Sequence, residues 1–114
     1  MTKASSVMSS SVSTDSWEQL VEDGRKMGQV HWLLQSEKGP LAGLWKIDTE
    51  EGAEIPYRVT TSSDSFHVIE GEAQLETPDG EKIHLTAGGI YSFSEGFTAT
   101  WRTRSPFLKF FVMA

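Results

Sequence analysis

The side chain best placed to do chemistry in this sequence is the carboxylate of Asp64, which precedes an apolar run. Strand alternation puts Asp64 on one face with Phe66 and Val68. A carboxylate facing an apolar interior is desolvated unless it is paired, and it is then a candidate general acid or base. The competing interpretation is a structural ion pair; the cations considered as its partner are Arg58, Arg102, Arg104 and Lys109.

Three histidines could form a metal site, and they fall on three separate predicted strands: His31, His67 and His84. If Asp64 points into the interior, alternation points His67 outward. Metal binding by His67 would then need a bulge or a site between subunits, so we interpret it as a surface or interface residue. His84 is expected on the more polar face of its strand. The sequence pattern does not indicate which face His31 occupies.

Several other activities have no support in the residue types. The chain has no cysteine, which excludes disulfides, thiolate metal sites and a cysteine nucleophile. It contains no Gly-x-Ser-x-Gly sequence, and Gly88-Gly89 lacks the lysine of a phosphate-binding loop. The net charge of −6 disfavours nucleic acid and anionic membranes as partners.

Aromatic residues offer a better clue to function, because a small-molecule site combines apolar walls with a few polar groups. Rings that could line such a site belong to Trp45, Tyr57, Phe66, Trp101 and Phe110, with Thr60, Asp64 and Arg102 among them. From this set, the predicted ligand-binding residues are Tyr57, Thr60, Asp64, Phe66 and Trp101. The alternative is that the rings fill the interior, as is usual in small barrels. Trp45 and Trp101 lie mid-strand and are expected in the core.

The elements that must position these groups are short strands. Between Asp64 and Trp101, brief β-rich runs are separated by glycine turns, which is typical of an antiparallel sandwich or barrel. Upstream strands are predicted at Val30–Gln35, Ala42–Ile47 and Ala53–Val59. Pro56 cannot donate to a strand ladder, so the third of these strands is expected at a sheet edge.

The N-terminal region has a different composition. Residues 1–16 are rich in serine and threonine and are predicted to be a flexible tail. Residues 17–114 are predicted to form a single domain, which begins with a short helical or irregular segment over Trp17–Met27. No apolar run approaches the roughly 20 residues of a membrane span, and no signal peptide is evident, so a cytoplasmic protein is expected.

The C-terminal run Pro106–Met113 is apolar on both faces apart from Lys109. A strand that is apolar on both faces is covered on both. A second copy of the chain could supply one cover, which predicts a homodimer. The alternative is that the N-terminal segment folds back over the same surface.

With these features in view, the sequence resembles the cupins, which are small jelly-roll barrels also described as double-stranded β-helices. It is most similar to the ureidoglycine aminohydrolase-like and ethanolamine-utilisation-type group, over about Ala42–Val112. The matching positions are Asp64 before Val68–Gly71, Gly88-Gly89, Ser94–Gly96, Thr100-Trp101 and Pro106–Lys109. The resemblance implies an all-β fold.

Many cupins hold a divalent metal with a His-x-His pair, a glutamate and a further histidine. The resemblance places these positions at Arg58–Thr61, at Asp64 and near Ala99. One carboxylate without imidazoles cannot hold a transition metal tightly, so no metal or other cofactor is predicted.

Two functions follow. The first is a small-molecule-binding cupin with a degenerate metal site, and its ligand is unassigned. The second is a metal-dependent enzyme of nitrogenous small-molecule metabolism that resembles ureidoglycine aminohydrolase and uses Mn or Zn. The missing imidazoles favour the first, and no catalytic residue is assigned.

Overall fold

A computed structural model describes residues 7–114, and this part of the chain contains ten β-strands and no helix. The strands are β1 Glu18–Glu22, β2 Arg25–Gln35, β3 Leu41–Ile47, β4 Ile55–Arg58, β5 Ser63–Glu70, β6 Glu72–Glu76, β7 Lys82–Thr86, β8 Ile90–Ser94, β9 Thr98–Thr103 and β10 Phe107–Met113. The all-β prediction is therefore confirmed.

The strands form two sheets, and the pairs within them are antiparallel. One sheet has six strands in the order β1-β2-β3-β10-β5-β8, and the other has four in the order β4-β9-β6-β7. Strands distant in sequence become neighbours, with β10 between β3 and β5. This arrangement is that of a double-stranded β-helix. β4, which contains Pro56, lies at a sheet edge as predicted.

The core lies between the two sheets and is built from inward-facing residues of both. On β5, Asp64, Phe66 and Val68 are buried and His67 is exposed, which confirms the predicted alternation. Trp101 of β9 is only 1% exposed, and its indole Nε1 donates to Thr103 Oγ1 at 3.0 Å. The aromatic residues at the centre of the domain thus come from both sheets.

The segment predicted to be helical or irregular is instead the first hairpin, β1–β2. Glu22 pairs with Arg25, so the turn consists of Asp23 and Gly24, whose φ values are 51° and 76°. An Asp-Gly pair that adopts positive φ at both positions forms a tight two-residue turn matched to the twist of the strands. Trp17, Leu20 and Val21 have the spacing of one helix face, but this turn chemistry outweighs so short a pattern.

Residues 7–16 carry no helix or strand. Within them, Ser10 Oγ lies 2.7 Å from His31 Nε2, and His31 Nδ1 lies 2.8 Å from the carbonyl oxygen of Ser16. Residues 1–6 of the predicted flexible tail lie outside the described residues. The tail therefore stays a prediction, although its second half has contacts with β2.

Candidate functional site

The site begins with the alternation of β10, which turns Phe107, Lys109 and Phe111 toward the interior. Lys109 pairs with Trp45 of β3 on one side and with Val68 of β5 on the other. Its residue is only 6% exposed, although a lysine is almost never fully buried without a partner. The strand register therefore fixes an amine inside the barrel.

Asp64 of β5 and Tyr57 of β4 complete a cluster with this amine. Tyr57 Oη donates a hydrogen bond of 2.6 Å to Asp64 Oδ2. Lys109 Nζ lies 3.9 Å from the same oxygen, which is within ion-pair range but too long for a hydrogen bond. Asp64 Oδ1 is buried and has no hydrogen-bond partner among residues 7–114. The cluster thus retains unused hydrogen-bonding capacity.

Four aromatic rings surround the Lys109 ammonium group. Its Nζ lies 4.0 Å from the ring centroid of Phe66, 5.0 Å from Trp45, 5.1 Å from Trp101 and 5.6 Å from Tyr57. Cation–π attraction to such rings stabilises a desolvated ammonium group. The rings replace part of the hydration shell but leave the N–H groups free to bind an oxygen acceptor.

Burial shapes the protonation of this cluster. Desolvation lowers the pKa of Lys109 to about 8, and the nearby Asp64 carboxylate opposes that shift. Desolvation raises the pKa of Tyr57 far above its usual value, and the charge and hydrogen bond of Asp64 raise it further. Tyr57 therefore stays a neutral phenol that donates to Asp64, while Lys109 can lose its proton in mildly alkaline solution.

The lowered pKa of Lys109 predicts a pH-dependent stability. Its usual value is 10.5, so between about pH 8 and that value the unfolded chain binds more protons than the folded one. Stability must therefore rise with pH in this window. From about pH 7.5 to 9.5, urea unfolding should show a gain of about 1–2 kcal/mol for the wild type relative to Lys109→Met. Above pH 10 the raised pKa of Tyr57 works in the opposite direction. Parallel pH profiles for the two proteins would contradict the prediction.

A cavity of about 150 Å³ adjoins the cluster. Asp64, Lys109, Tyr57 and Trp101 line it, and most other walls are apolar side chains of both sheets. The apolar and aromatic walls are Leu20, Met27, Val30, Trp32, Trp45, Ile55, Pro56, Phe111 and Met113. The exposed lining residues Glu22, Pro56 and Arg58 mark the mouth, between β1 and β4. The barrel interior is therefore partly hollow, with polar groups among apolar walls.

The structure brings together most of the predicted pocket residues. Tyr57, Asp64 and Trp101 line the cavity, and Phe66 lies beneath the Lys109 ammonium group. Thr60, in contrast, is exposed in the loop after β4, because the strand ends at Arg58. Thr60 is not among the residues that line the cavity.

One ring and one polar group that the sequence suggested for the site lie elsewhere. Phe110 alternates with Lys109 and faces the outer side of the six-stranded sheet, where it borders a shallow cavity with His31 and Leu33. Arg102 also faces outward and pairs with Glu76 at 2.6 Å. Of the four cations considered for Asp64, Lys109 is the one within ion-pair distance.

Together, the fold and the site define a class: a double-stranded β-helix with a pocket between its sheets, which is the cupin architecture. The chain belongs to the EutQ-like cupin domain family, whose model matches residues 42–111. No curated protein matches the sequence.

Solved structures share this fold at low identity. The cupin domain of Cnp3 from Schizosaccharomyces pombe is 14% identical with a TM-score of 0.72, over 91% of this chain and 71% of that one. A putative ethanolamine utilization protein Q from Salmonella typhimurium is 17% identical with a TM-score of 0.65, over 86% and 93%. A double-stranded β-helix protein from Klebsiella pneumoniae is 24% identical with a TM-score of 0.62, over 84% and 82%. At these identities the likeness supports the fold alone.

The metal that many cupins hold does not fit the residues of this pocket. No group of three His, Asp or Glu side chains suitable for a metal ion occurs within residues 7–114. Asp64 Oδ2 is already bonded to Tyr57, and the Lys109 ammonium group would repel a divalent cation placed beside it. His67 and His84 are exposed, and His31 is bonded to the N-terminal segment. The histidines therefore do not converge on the pocket.

Residues 7–114 contain no helix that could span a lipid bilayer.

Proposed function

We propose that this chain is a small-molecule-binding cupin domain whose ligand enters the interior pocket and contacts Asp64 and Lys109. Support comes from one observation above the others: Asp64 Oδ1 is buried without a hydrogen-bond partner beside a cavity. Buried polar atoms in folded proteins nearly always form a hydrogen bond, and leaving such an atom without one costs free energy. A ligand that donates to Oδ1 would supply the missing bond.

The geometry also supports a type of ligand. The Asp64–Lys109 pair has no net charge, so an uncharged or zwitterionic molecule is favoured over an ion. The apolar walls favour a hydrocarbon or aromatic body. An apolar cavity of about this volume can take up a molecule of the size of benzene.

This proposal can be tested with three uncharged probes, benzyl alcohol, benzamide and butanamide, detected by saturation-transfer NMR. Leu20 is half-buried in the cavity wall beside the mouth, so Leu20→Trp should obstruct the entrance. Ile90 is 81% exposed and does not line this cavity, so Ile90→Trp is the matched control with the same added ring.

At least one probe should bind the wild type and Ile90→Trp but lose most of its signal with Leu20→Trp. Equal signals from the three proteins for every probe, or no signal from the wild type, would overturn the proposal.

The alternative function, a metal-dependent enzyme resembling ureidoglycine aminohydrolase, has no metal donor set among residues 7–114. It predicts tightly bound metal, whereas the proposed function predicts protein free of it. Elemental analysis of protein purified without a histidine tag separates the two. One Mn, Zn or Ni held per chain after dialysis would favour the enzyme.

The homodimer and the cytoplasmic location stay predictions. The outer side of β10 carries Leu108, Phe110 and Val112, each half-buried. The N-terminal segment covers part of this face, since Ser10, Ser11 and Val12 border a shallow cavity with Phe110. Ile90, at the far edge of the same sheet, is 81% exposed. A second copy is therefore proposed to cover that edge.

Sedimentation velocity over a concentration series tests the dimer. Ile90→Glu should weaken association by about tenfold or more, which corresponds to about 1.4 kcal/mol. Thr86→Glu adds the same charge to the exposed face of β7 in the other sheet and should leave association unchanged. A wild-type protein that is monomeric at every concentration would assign the cover to the N-terminal segment alone.

A further inference from the structure

Lys109 differs from the other described lysines in a way that bears on reactivity. Lys26, Lys38 and Lys82 are exposed, whereas Lys109 Nζ lies in an aromatic enclosure at a cavity wall. Burial lowers the pKa of its ammonium group to about 8. A sizeable fraction of the amine is then unprotonated near neutral pH, and an unprotonated amine is a nucleophile.

We infer that Lys109 captures small uncharged aldehydes in the pocket as an imine, with Asp64 relaying the protons. The inference rests on the proposed function, because the carbonyl compound must first enter the pocket. Its basis is geometric: Lys109 Nζ lies 3.9 Å from Asp64 Oδ2, and both residues line the same cavity. A desolvated lysine with an adjacent acid–base group is the arrangement that imine formation requires.

The reaction needs no oxidant or reductant. The Nζ lone pair forms a bond to the carbonyl carbon, and the carbonyl oxygen takes up the proton that the nitrogen loses, through the Asp64 carboxylate. In the second step, Asp64 accepts the remaining N–H proton and delivers it to the hydroxyl group. The C–O bond breaks, one water leaves and the C=N bond forms.

Tyr57 has a positioning role in this scheme. Its phenol donates to Asp64 Oδ2 and keeps its own proton, because burial and Asp64 raise its pKa. This hydrogen bond holds the carboxylate beside Lys109 and leaves Oδ1 as the free acceptor. The apolar walls exclude water, which would otherwise favour hydrolysis of the imine.

The substrate class follows from the walls and the volume. A cavity of about 150 Å³ with mostly apolar lining admits a short aliphatic or a single-ring aldehyde, and it disfavours sugars and phosphorylated aldehydes. Benzaldehyde, a benzene ring with one formyl group, is therefore a suitable probe.

The test is to treat the full-length wild-type protein with limiting benzaldehyde and cyanoborohydride at about pH 7.5 and to map the reduced adduct by peptide mass spectrometry. Lys109 should be labelled at least about tenfold faster than Lys26 or Lys82, because more of its amine is unprotonated. Labelling of the urea-unfolded chain should show no such preference. Lys109→Arg keeps the charge, removes the amine, and should abolish the fast phase while the exposed lysines react as before.

Labelling confined to the exposed lysines of the folded wild type would overturn the inference. This experiment uses the wild-type protein, so it does not depend on the folding of a variant. Benzyl alcohol, which cannot form an imine, separates the two levels of the proposal. If benzyl alcohol binds the pocket but benzaldehyde does not label Lys109, imine formation at Lys109 is rejected and the proposed ligand binding is retained. If benzaldehyde labels Lys109 rapidly and Leu20→Trp slows that labelling, both are supported.

Discussion

Asp64→Asn should lower the free energy of unfolding by about 1–2 kcal/mol at neutral pH, because Lys109 loses its counter-charge and its buried amine must then give up its proton. Asparagine retains an oxygen that can accept the hydrogen bond from Tyr57, so the loss reports the charge rather than the phenol. Urea unfolding at neutral pH measures it. The loss is a large fraction of the 5–15 kcal/mol typical of a whole domain.

A double-mutant cycle supplies the control for this prediction. Lys109→Met removes the other charge at similar length, and the double variant Asp64→Asn/Lys109→Met leaves neither charge unpaired. The double variant should therefore be more stable than the sum of the single losses implies. A loss below about 0.5 kcal/mol for Asp64→Asn would mean that the pair is solvated and contributes little. An additive cycle would mean that the two groups do not interact.

Trp101→Ala should be more damaging, at about 3–5 kcal/mol, through loss of packing. The Trp101 ring lies 5.0 Å from the ring centroid of Phe107, 5.2 Å from Trp45 and 5.7 Å from Tyr57. Its removal leaves a void where the two sheets meet, beside the pocket. The loss can be measured by thermal and urea unfolding, together with benzyl alcohol binding, which should weaken because Trp101 no longer forms part of the pocket wall.

Trp17→Ala is the matched control for that substitution. The Trp17 ring is half-buried and lies on the surface rather than between the sheets. Lys46 Nζ lies over it, 4.2 Å from the ring centroid. Its loss should cost about 1 kcal/mol or less and leave benzyl alcohol binding unchanged. Similar losses for the two tryptophans would contradict the central position given to Trp101.

Much of the fold could be predicted because glycine turns and alternation act locally. The buried positions of Asp64, Phe66 and Val68 follow from a period of two along β5, and the exposure of His67 follows from the same period. The first hairpin does not follow from these local patterns as clearly, because two signals compete there. Asp23-Gly24 is a strong turn signal, whereas the spacing of Trp17, Leu20 and Val21 is helical.

The candidate site was predictable in part. Tyr57, Asp64 and Trp101 share the cavity as expected, but Thr60 lies in a loop whose course depends on where β4 ends. The sequence offers Lys109 as one of four possible ion-pair partners of Asp64 and does not distinguish it as a pocket residue. Its alternation with Phe107 and Phe111 was the available signal. Only Lys109 among these four comes within ion-pair distance of Asp64, because β10 lies beside β5. Local sequence patterns do not encode this long-range pairing.

The most direct test is an NMR titration of the Lys109 side chain in protein labelled at lysine with ¹³C and ¹⁵N. A lysine enclosed by aromatic rings beside Asp64, at the wall of the cavity, should titrate with a pKa of about 8. Titration of Lys109 near its usual value of 10.5 would place its amine in water and contradict both the enclosed pocket and the function proposed for it.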